Sequence, residues 1–335
     1  MDYKFVSKFE DIDKNAWDDL IKKSQYGSVF QHSEMYEFWE KQDECDPFVF
    51  GIEENNNLLA VCQVVVQYNG TGLKKNFSKR AIIYGGAVIS DTCEKDEVLT
   101  SLIKNMNKLL KSKAIYSEFR HAFLYKEFDK IFKENNYEYL PYQNFKISLT
   151  NEEEVFNNLT SEKRRQIRRS IKEGVEISYE NTDFNIKGVY NIIKGIYLEK
   201  VKKPLPKLEF FNDLAKQKLG NIFALIYQGK VIGGGFLVFD NKCVYDWYRG
   251  GLDRDFKHQY PSTLAAWAVI KFGLDKQLST FDFMGAGIKG EDYGVRNFKA
   301  QYGGELVEHG RYQKVLSPLK FKIAKLGLSI LSKIR

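Results

Sequence analysis

Two stretches of the chain show the same order of apolar and polar patterning. Residues 47–54 (PFVFGIEE) and 57–68 (NLLAVCQVVVQY) read as two strands of a hairpin turning at residues 55–57. An apolar strand at 81–90, a helix-spaced stretch at 95–113 and a strand at 114–122 follow. Further along, residues 220–228 and 230–240 form a second hairpin around Gly229. A strand at 243–250, a helix opening at Pro261 and a strand at 280–285 complete the series. Pro261 suits a first helical turn, where its missing N–H has no partner to lose. Hairpin, strand, helix, strand therefore occurs twice, without any letter-by-letter repeat. Strands alternating with helices predict an α/β protein, with two tandem domains of one kind, mixed sheets flanked by helices, over residues 1–150 and 151–335.

The segments between and after these series are helical. Thr160 or Ser161 caps a predicted helix over 161–173 that stops at Gly174. A longer helix runs from Asp183 to about Lys200, where Pro204 and Pro206 end it. A short helix covers 210–219, and a single strand at 304–316 precedes a last helix over 317–334.

Composition narrows the class. At 43% hydrophobic and 15% aromatic residues, the chain has ample material for cores, which argues against disorder. Cys45, Cys62, Cys93 and Cys243 share no close spacing, and His32, His121, His258 and His309 are scattered. No metal site is expected, and the thiols are expected to be reduced. The first residues carry no apolar run and no stretch of about 18 apolar residues occurs, so a cytoplasmic protein is expected. The net charge of +7 equals the contribution of Arg311, Lys314, Lys320, Lys322, Lys325, Lys333 and Arg335, a C-terminal segment without an acid. A globally basic nucleic-acid coat is not indicated, but local anion-seeking elements are.

Candidate chemistry lies in four places. On the 161–173 helix, Arg164, Arg165, Arg168, Arg169 and Lys172 share one broad face at about 100° per residue, and Ile167 and Ile171 lie on the other. Arginine forks match phosphate oxygens, so Arg164, Arg168 and Lys172 are candidate ligands of a diphosphate or an RNA backbone; the other reading is a solvated face partnered by Glu162 and Glu173. In the 243–250 strand, Tyr245, Trp247 and Tyr248 are interleaved with Asp246 and Arg249, and Tyr248 and Arg249 near the strand end are candidates for a cleft. Asp282, between two phenylalanines, either faces a cleft as a general base for an incoming amine or caps a turn. The glycines at 233–235 mark a bulge or a close approach rather than a phosphate cradle. In the last helix, Leu319, Ile323, Leu326, Ile330 and Ile334 form a stripe flanked by lysines. It reads equally as a helix in an anionic membrane interface or as a packed terminal helix.

Over residues 244–304, the order strand, helix, strand and glycine-bounded loop with Phe298 and Lys299 resembles the C-terminal half of the FemABX-like aminoacyltransferases, built on the GNAT fold. Lys163, Arg164, Ile167, Arg168, Arg169 and Gly174 resemble the basic helix that follows their first domain, and Phe30, Gln31 and Ser33 resemble part of an N-terminal signature. The resemblance implies tandem GNAT-like domains and transfer of an aminoacyl or acyl group onto an amine of a cell-envelope precursor, peptidoglycan or surface polysaccharide. It places Lys299, after Phe298, near the transfer centre, where an ammonium stabilises the oxyanion of a tetrahedral intermediate or a departing ribose oxygen. Arg296, one helical turn earlier, would add to that field. The implied donor is aminoacyl-tRNA or acyl-CoA, with no bound cofactor; any tRNA contact would rest on the basic patches. The loop before Pro261 has Arg249, Gly250 and Gly251 but no further glycine to wrap a CoA diphosphate. An acyl-CoA-dependent N-acetyltransferase acting on an amino sugar or small amine, and a non-catalytic binding protein of this fold, are the competing readings.

Overall fold

The computed structural model describes residues 3–334, with the side chains of the last helix described as far as Leu326. The strands are β1 (Lys4–Val6), β2 (Cys45–Glu54), β3 (Asn57–Gln67), β4 (Arg80–Gly85), β5 (Val88–Ile89), β6 (Tyr116–His121), β7 (Glu138–Leu140), β8 (Asn144–Ser148), β9 (Glu176–Ser178), β10 (Gly220–Tyr227), β11 (Lys230–Phe239), β12 (Cys243–Gly251), β13 (Thr280–Asp282), β14 (Glu305–Val307) and β15 (Arg311–Val315). The helices are α1 (Lys14–Lys23), α2 (Ser33–Glu40), α3 (Gly72–Asn76), α4 (Lys95–Leu110), α5 (Asp129–Glu134), α6 (Glu152–Asn158), α7 (Ser161–Lys172), α8 (Asp183–Ile196), α9 (Leu208–Lys216), α10 (Pro261–Asp275), α11 (Gly294–Ala300) and α12 (Pro318–Ile334).

These elements build two compact units, each a mixed sheet flanked by helices. The expected division at 150/151 is corrected. The first unit runs to Pro141 and regains the chain from His309 onward, and the second is Tyr142–Glu308. Hydrogen bonding explains the shift. β8 pairs with β13 and β14 in the second sheet, and β15 pairs with β6 and β7 in the first. Apolar alternation marks a strand but not the sheet it joins. The predicted strand at 304–316 is therefore two strands in two sheets, parted at Gly310, whose φ is +69°.

In the first unit the strand order is β1-β2-β3-β4-β6-β15-β7, with β5 on β3. α4 places Val98, Leu99, Leu102, Ile103, Met106 and Leu110 on one stripe, and that stripe buries itself on the sheet. The strand expected at 81–90 breaks at Gly85 and Gly86, both at positive φ. A Cβ on Gly86 would come within 2.6 Å of His121 Nδ1. β4 and β6 are parallel and stay paired to their ends, Gly85 opposite His121.

In the second unit the order is β14-β8-β13-β12-β11-β10-β9. α8 lies close on β11 and β12 because the glycines there have no Cβ. One on Gly234 would come within 2.6 Å of Val189, and one on Gly250 within 2.7 Å of Ile196. Gly234 and Gly250 thus seat the helix, while Gly233 and Gly235 lie against Pro261 and Phe223. β12 and β13 are parallel but pair only from Cys243 to Tyr245. β12 then runs on to Gly251 while β13 stops at Asp282, so the two strands part. In β12 the register slips: Phe236 faces Tyr248 and Leu237 faces Asp246, which leaves Trp247 as the extra residue of a bulge.

Candidate active site

The bulge decides which side chains meet. Residues 246 and 249 are an odd number apart, so a regular strand would point them to opposite faces. The extra residue puts Asp246 and Arg249 on the same face, opposite Leu237 and Gly235. There Arg249 Nε lies 3.4 Å from Asp246 Oδ2. Tyr248 points to the other face, into a cluster of rings with Phe211 at 5.0 Å and Phe210 at 6.2 Å. The structure therefore does not bring Tyr248 and Arg249 together, although they are adjacent in sequence.

Where β12 and β13 part, two aromatic rings carry three cations. Arg249 sits 5.7 Å from the Phe283 ring and 5.4 Å from the Phe298 ring. The Lys299 ammonium lies 5.3 Å from Phe283, and that of Lys163 lies 4.4 Å from Phe298. Such contacts favour a cation most where water is excluded, and both lysines are buried. Lys299 comes from α11 and donates to the carbonyls of Phe283 at 2.7 Å and Gly285 at 2.6 Å. The turn that offers these carbonyls has Met284 and Gly285 at positive φ. The Lys299 pKa is pulled down to about 8, chiefly by burial and in smaller part by Arg249, against the opposing pull of Asp246 and Asp282.

Lys163 belongs to α7, but not to its exposed basic face. Its ammonium donates to Thr263 Oγ1 at 3.1 Å and to Gln166 Oε1 at 3.3 Å. Burial lowers its pKa, with a smaller contribution from Arg249 in the same direction. The buried face of α7 is Lys163, Gln166, Ile167 and Ser170. This corrects the expected anchor pair, because Ile171 is 54% exposed. The i, i+3 and i+4 spacing of Lys163 to Gln166 and Ile167 is the sequence signal for its inward position.

The other expected site residues take different places. Asp282 caps a turn: its Oδ1 accepts from the Met284 N–H at 2.7 Å and from Asn144 Nδ2 at 2.6 Å, and its Oδ2 lies 3.7 Å from Lys146. Arg296 donates through three nitrogens to the carbonyls of Ala286, Ile288 and Glu291, so it fastens the loop before α11. Arg164 donates to the carbonyls of Asn157 and Leu159 at the end of α6. Arg168 lies 5.1 Å from the Phe156 ring and remains exposed, as does Lys172. Phe298 is half-buried beneath Lys163 and Arg249. Asp246 is the residue that the sequence reading missed. Its Oδ1 is buried with no hydrogen-bond partner among the described residues, and Arg249 Nη1 is in the same condition.

The fold as a whole matches known structures. The FemAB family model matches residues 212–327. The crystal structure of FemX shares a TM-score of 0.73 with this chain at 13% identity, covering 95% of this chain and 99% of that one. The chain has the fold of FemX, a tandem arrangement of GNAT-like units, and its C-terminal third carries the FemAB match. The tandem GNAT protein from the clavulanic acid biosynthesis pathway matches at TM-score 0.59 and 8% identity, over 95% of this chain and 99% of that one. L-PGS from Bacillus licheniformis matches at 0.56 and 12%, over 94% and 96%. No curated protein matches in sequence. The expected architecture of two GNAT-like units with mixed sheets is thus the one found. No group of three or more His, Cys, Asp or Glu side chains suited to a metal ion occurs among the described residues, nor does a helix long and apolar enough to cross a membrane.

Proposed function

We propose that this chain is an acyl- or aminoacyltransferase that forms an amide bond on an amine of a cell-envelope precursor, either a peptidoglycan intermediate or a surface-glycan amino sugar. The observation that carries this reading is the Lys299 ammonium. It is buried, held by two carbonyls, and set where β12 and β13 part. A cation fixed there before reaction needs no reorganisation to meet the charge that develops on an acyl oxygen. Its pKa near 8 leaves it mostly protonated at neutral pH. The family match, the FemX fold and the lysylphosphatidylglycerol synthetase domain among the neighbours, at TM-score 0.59 and 12% identity, support a donor–acceptor pair of this kind.

The loop before α10 favours aminoacyl-tRNA over acyl-CoA. The Asp253 carboxylate accepts from the Ser262 N–H at 3.0 Å and from its hydroxyl. An acid there occupies the helix start and repels a diphosphate. The deciding experiment supplies aminoacyl-tRNA or acetyl-CoA, each labelled in the transferred group, with amine-bearing muropeptide and amino-sugar precursors, and reads amide products by mass spectrometry. Label arriving from aminoacyl-tRNA is expected. Label from acetyl-CoA alone would reassign the donor, and no amide from either would overturn the transferase reading.

Exposure of α12 supports a working position at the cytoplasmic face of an anionic membrane. Leu319, Ile323 and Leu326 are 78%, 52% and 64% exposed beside Lys320, Lys322 and Lys325. Ile330, Lys333 and Ile334 lie beyond the side chains described, and Arg335 lies outside the described residues.

A further inference from the structure

We infer that Asp246 receives the acceptor amine and takes its proton during amide formation. This inference rests on the transferase reading above. Asp246 is a buried carboxylate with one oxygen engaged and one not: Oδ2 faces Arg249 Nε at 3.4 Å, and Oδ1 is buried without a hydrogen-bond partner among the described residues. A buried acceptor left open is costly unless a ligand completes it. The ligand that Oδ1 asks for is an N–H donor, and a primary amine supplies one.

The neighbouring groups agree. Arg249 Nη1 is also buried and open among the described residues, so the same face offers one acceptor and one donor. An amine meeting an acyl carbonyl presents the complement: an N–H for Asp246 and an oxygen for Arg249. Arg249 and the Lys299 ammonium lie 5.7 and 5.3 Å from the same Phe283 ring, and Arg249 is paired with Asp246, which places the three side chains in one site. Asp282 is poorly suited to this role, because Asn144, Met284 and Lys146 already surround its two oxygens.

The step balances. The amine nitrogen attacks the acyl carbon, and the C–N bond forms. The surplus proton on nitrogen passes to Asp246 Oδ1, while Lys299 and Arg249 steady the oxyanion. The bond from the acyl carbon to the donor oxygen, or sulfur in a thioester, then breaks, and its electron pair leaves with that atom. Asp246 returns the proton to the leaving atom, which yields amide and free alcohol or thiol with the enzyme unchanged.

The test has two arms. In the first, n-butylammonium chloride, a probe for the acceptor amine, is titrated into isotopically labelled full-length protein. Amide resonances of residues 246–251 and 283–285 should shift in the wild type and stay fixed in Asp246→Asn. A wild type without those shifts, or an Asn variant that responds equally, would overturn the inference. In the second arm, Asp246→Asn should lower amide formation at least 100-fold. Asp246→Ala should regain a measurable part of its rate when formate is added as a replacement base, which a merely structural role would not allow. An Asn variant within two-fold of wild type would also overturn the inference. If wild-type protein forms no amide from either donor, the transferase reading fails instead, and the amine titration still decides Asp246. Should Asp246→Asn fail to fold, the wild-type titration remains decisive.

Discussion

The Lys299 ammonium donates to the carbonyl oxygen of Gly285 at 2.6 Å, so a charge carried by α11 is fastened to the turn that leaves β13. The turn closes on itself through Asp282, which accepts from the Met284 N–H. Lys299 therefore braces the turn, and on the proposed function it is also the oxyanion donor. Replacing it by Met keeps much of its length, removes the charge and leaves two carbonyls without their donor. Amide formation should fall about ten-fold or more, on the scale of losing one oxyanion donor. A folded Lys299→Met variant with unchanged turnover would rule out the assignment.

The lowered pKa of Lys299 gives two opposite pH signatures. Stabilising an oxyanion requires the ammonium, so turnover should fall as pH rises through about 8. That limb should be missing from any residual activity of Lys299→Met. Stability runs the other way. Between about pH 8 and the ordinary lysine value the unfolded chain binds a proton that the folded chain has lost, so stability gains from Lys299 as pH rises across that window. Wild type should thus gain on Lys299→Met in melting experiments from pH 8 to pH 10. Each pKa unit corresponds to about 1.4 kcal/mol. A difference that stays flat with pH would show that Lys299 keeps its ordinary pKa.

Much of the fold is legible in the sequence because its main signals are local. The hairpins, the α4 stripe and the Pro261 start follow from alternation, helical spacing and proline chemistry. Sheet membership is not local, which is why β8 and β15 fell in units other than those expected. The site was legible in part for the same reason. Lys299 and Phe298 stand in a motif, whereas Asp246 joins Arg249 only because one extra residue at Trp247 turns the strand. Lys163 was counted with the arginines around it because a charge run does not reveal which member turns inward. Arg164 was read as a phosphate ligand and Arg296 as adding to the field at Lys299, but carbonyl oxygens at helix and loop ends occupy them.

That distinction makes α7 testable residue by residue. Arg164 donates to the end of α6, so Arg164→Gln should cost about 1–2 kcal/mol of stability, the scale of a charged hydrogen bond partly open to water. Arg168 and Lys172 are exposed. Their joint change to Gln should leave the melting temperature nearly unaltered and weaken inorganic pyrophosphate, whose wild-type affinity should itself fall with added salt. Equal affinity in mutant and wild type would show that this face is merely solvated.

The last helix is where charge and exposure coincide. α12 begins at Pro318, directly after β15, and its Phe321 ring meets Tyr116 edge-on at 5.9 Å. Beyond that contact, Leu319, Ile323 and Leu326 face solvent. An amphipathic helix of this kind gains about 1 kcal/mol per basic residue near an anionic surface, and burial of its apolar stripe adds to that. Full-length protein should co-sediment with phosphatidylglycerol vesicles and be partly released by high salt. Changing Lys320, Lys322 and Lys325 to Gln should weaken binding while keeping the helix. Truncation after Ser317 should abolish it and leave β15 in its sheet. If the intact protein ignores the vesicles, or if truncation unfolds the first unit, α12 serves the fold and not the membrane.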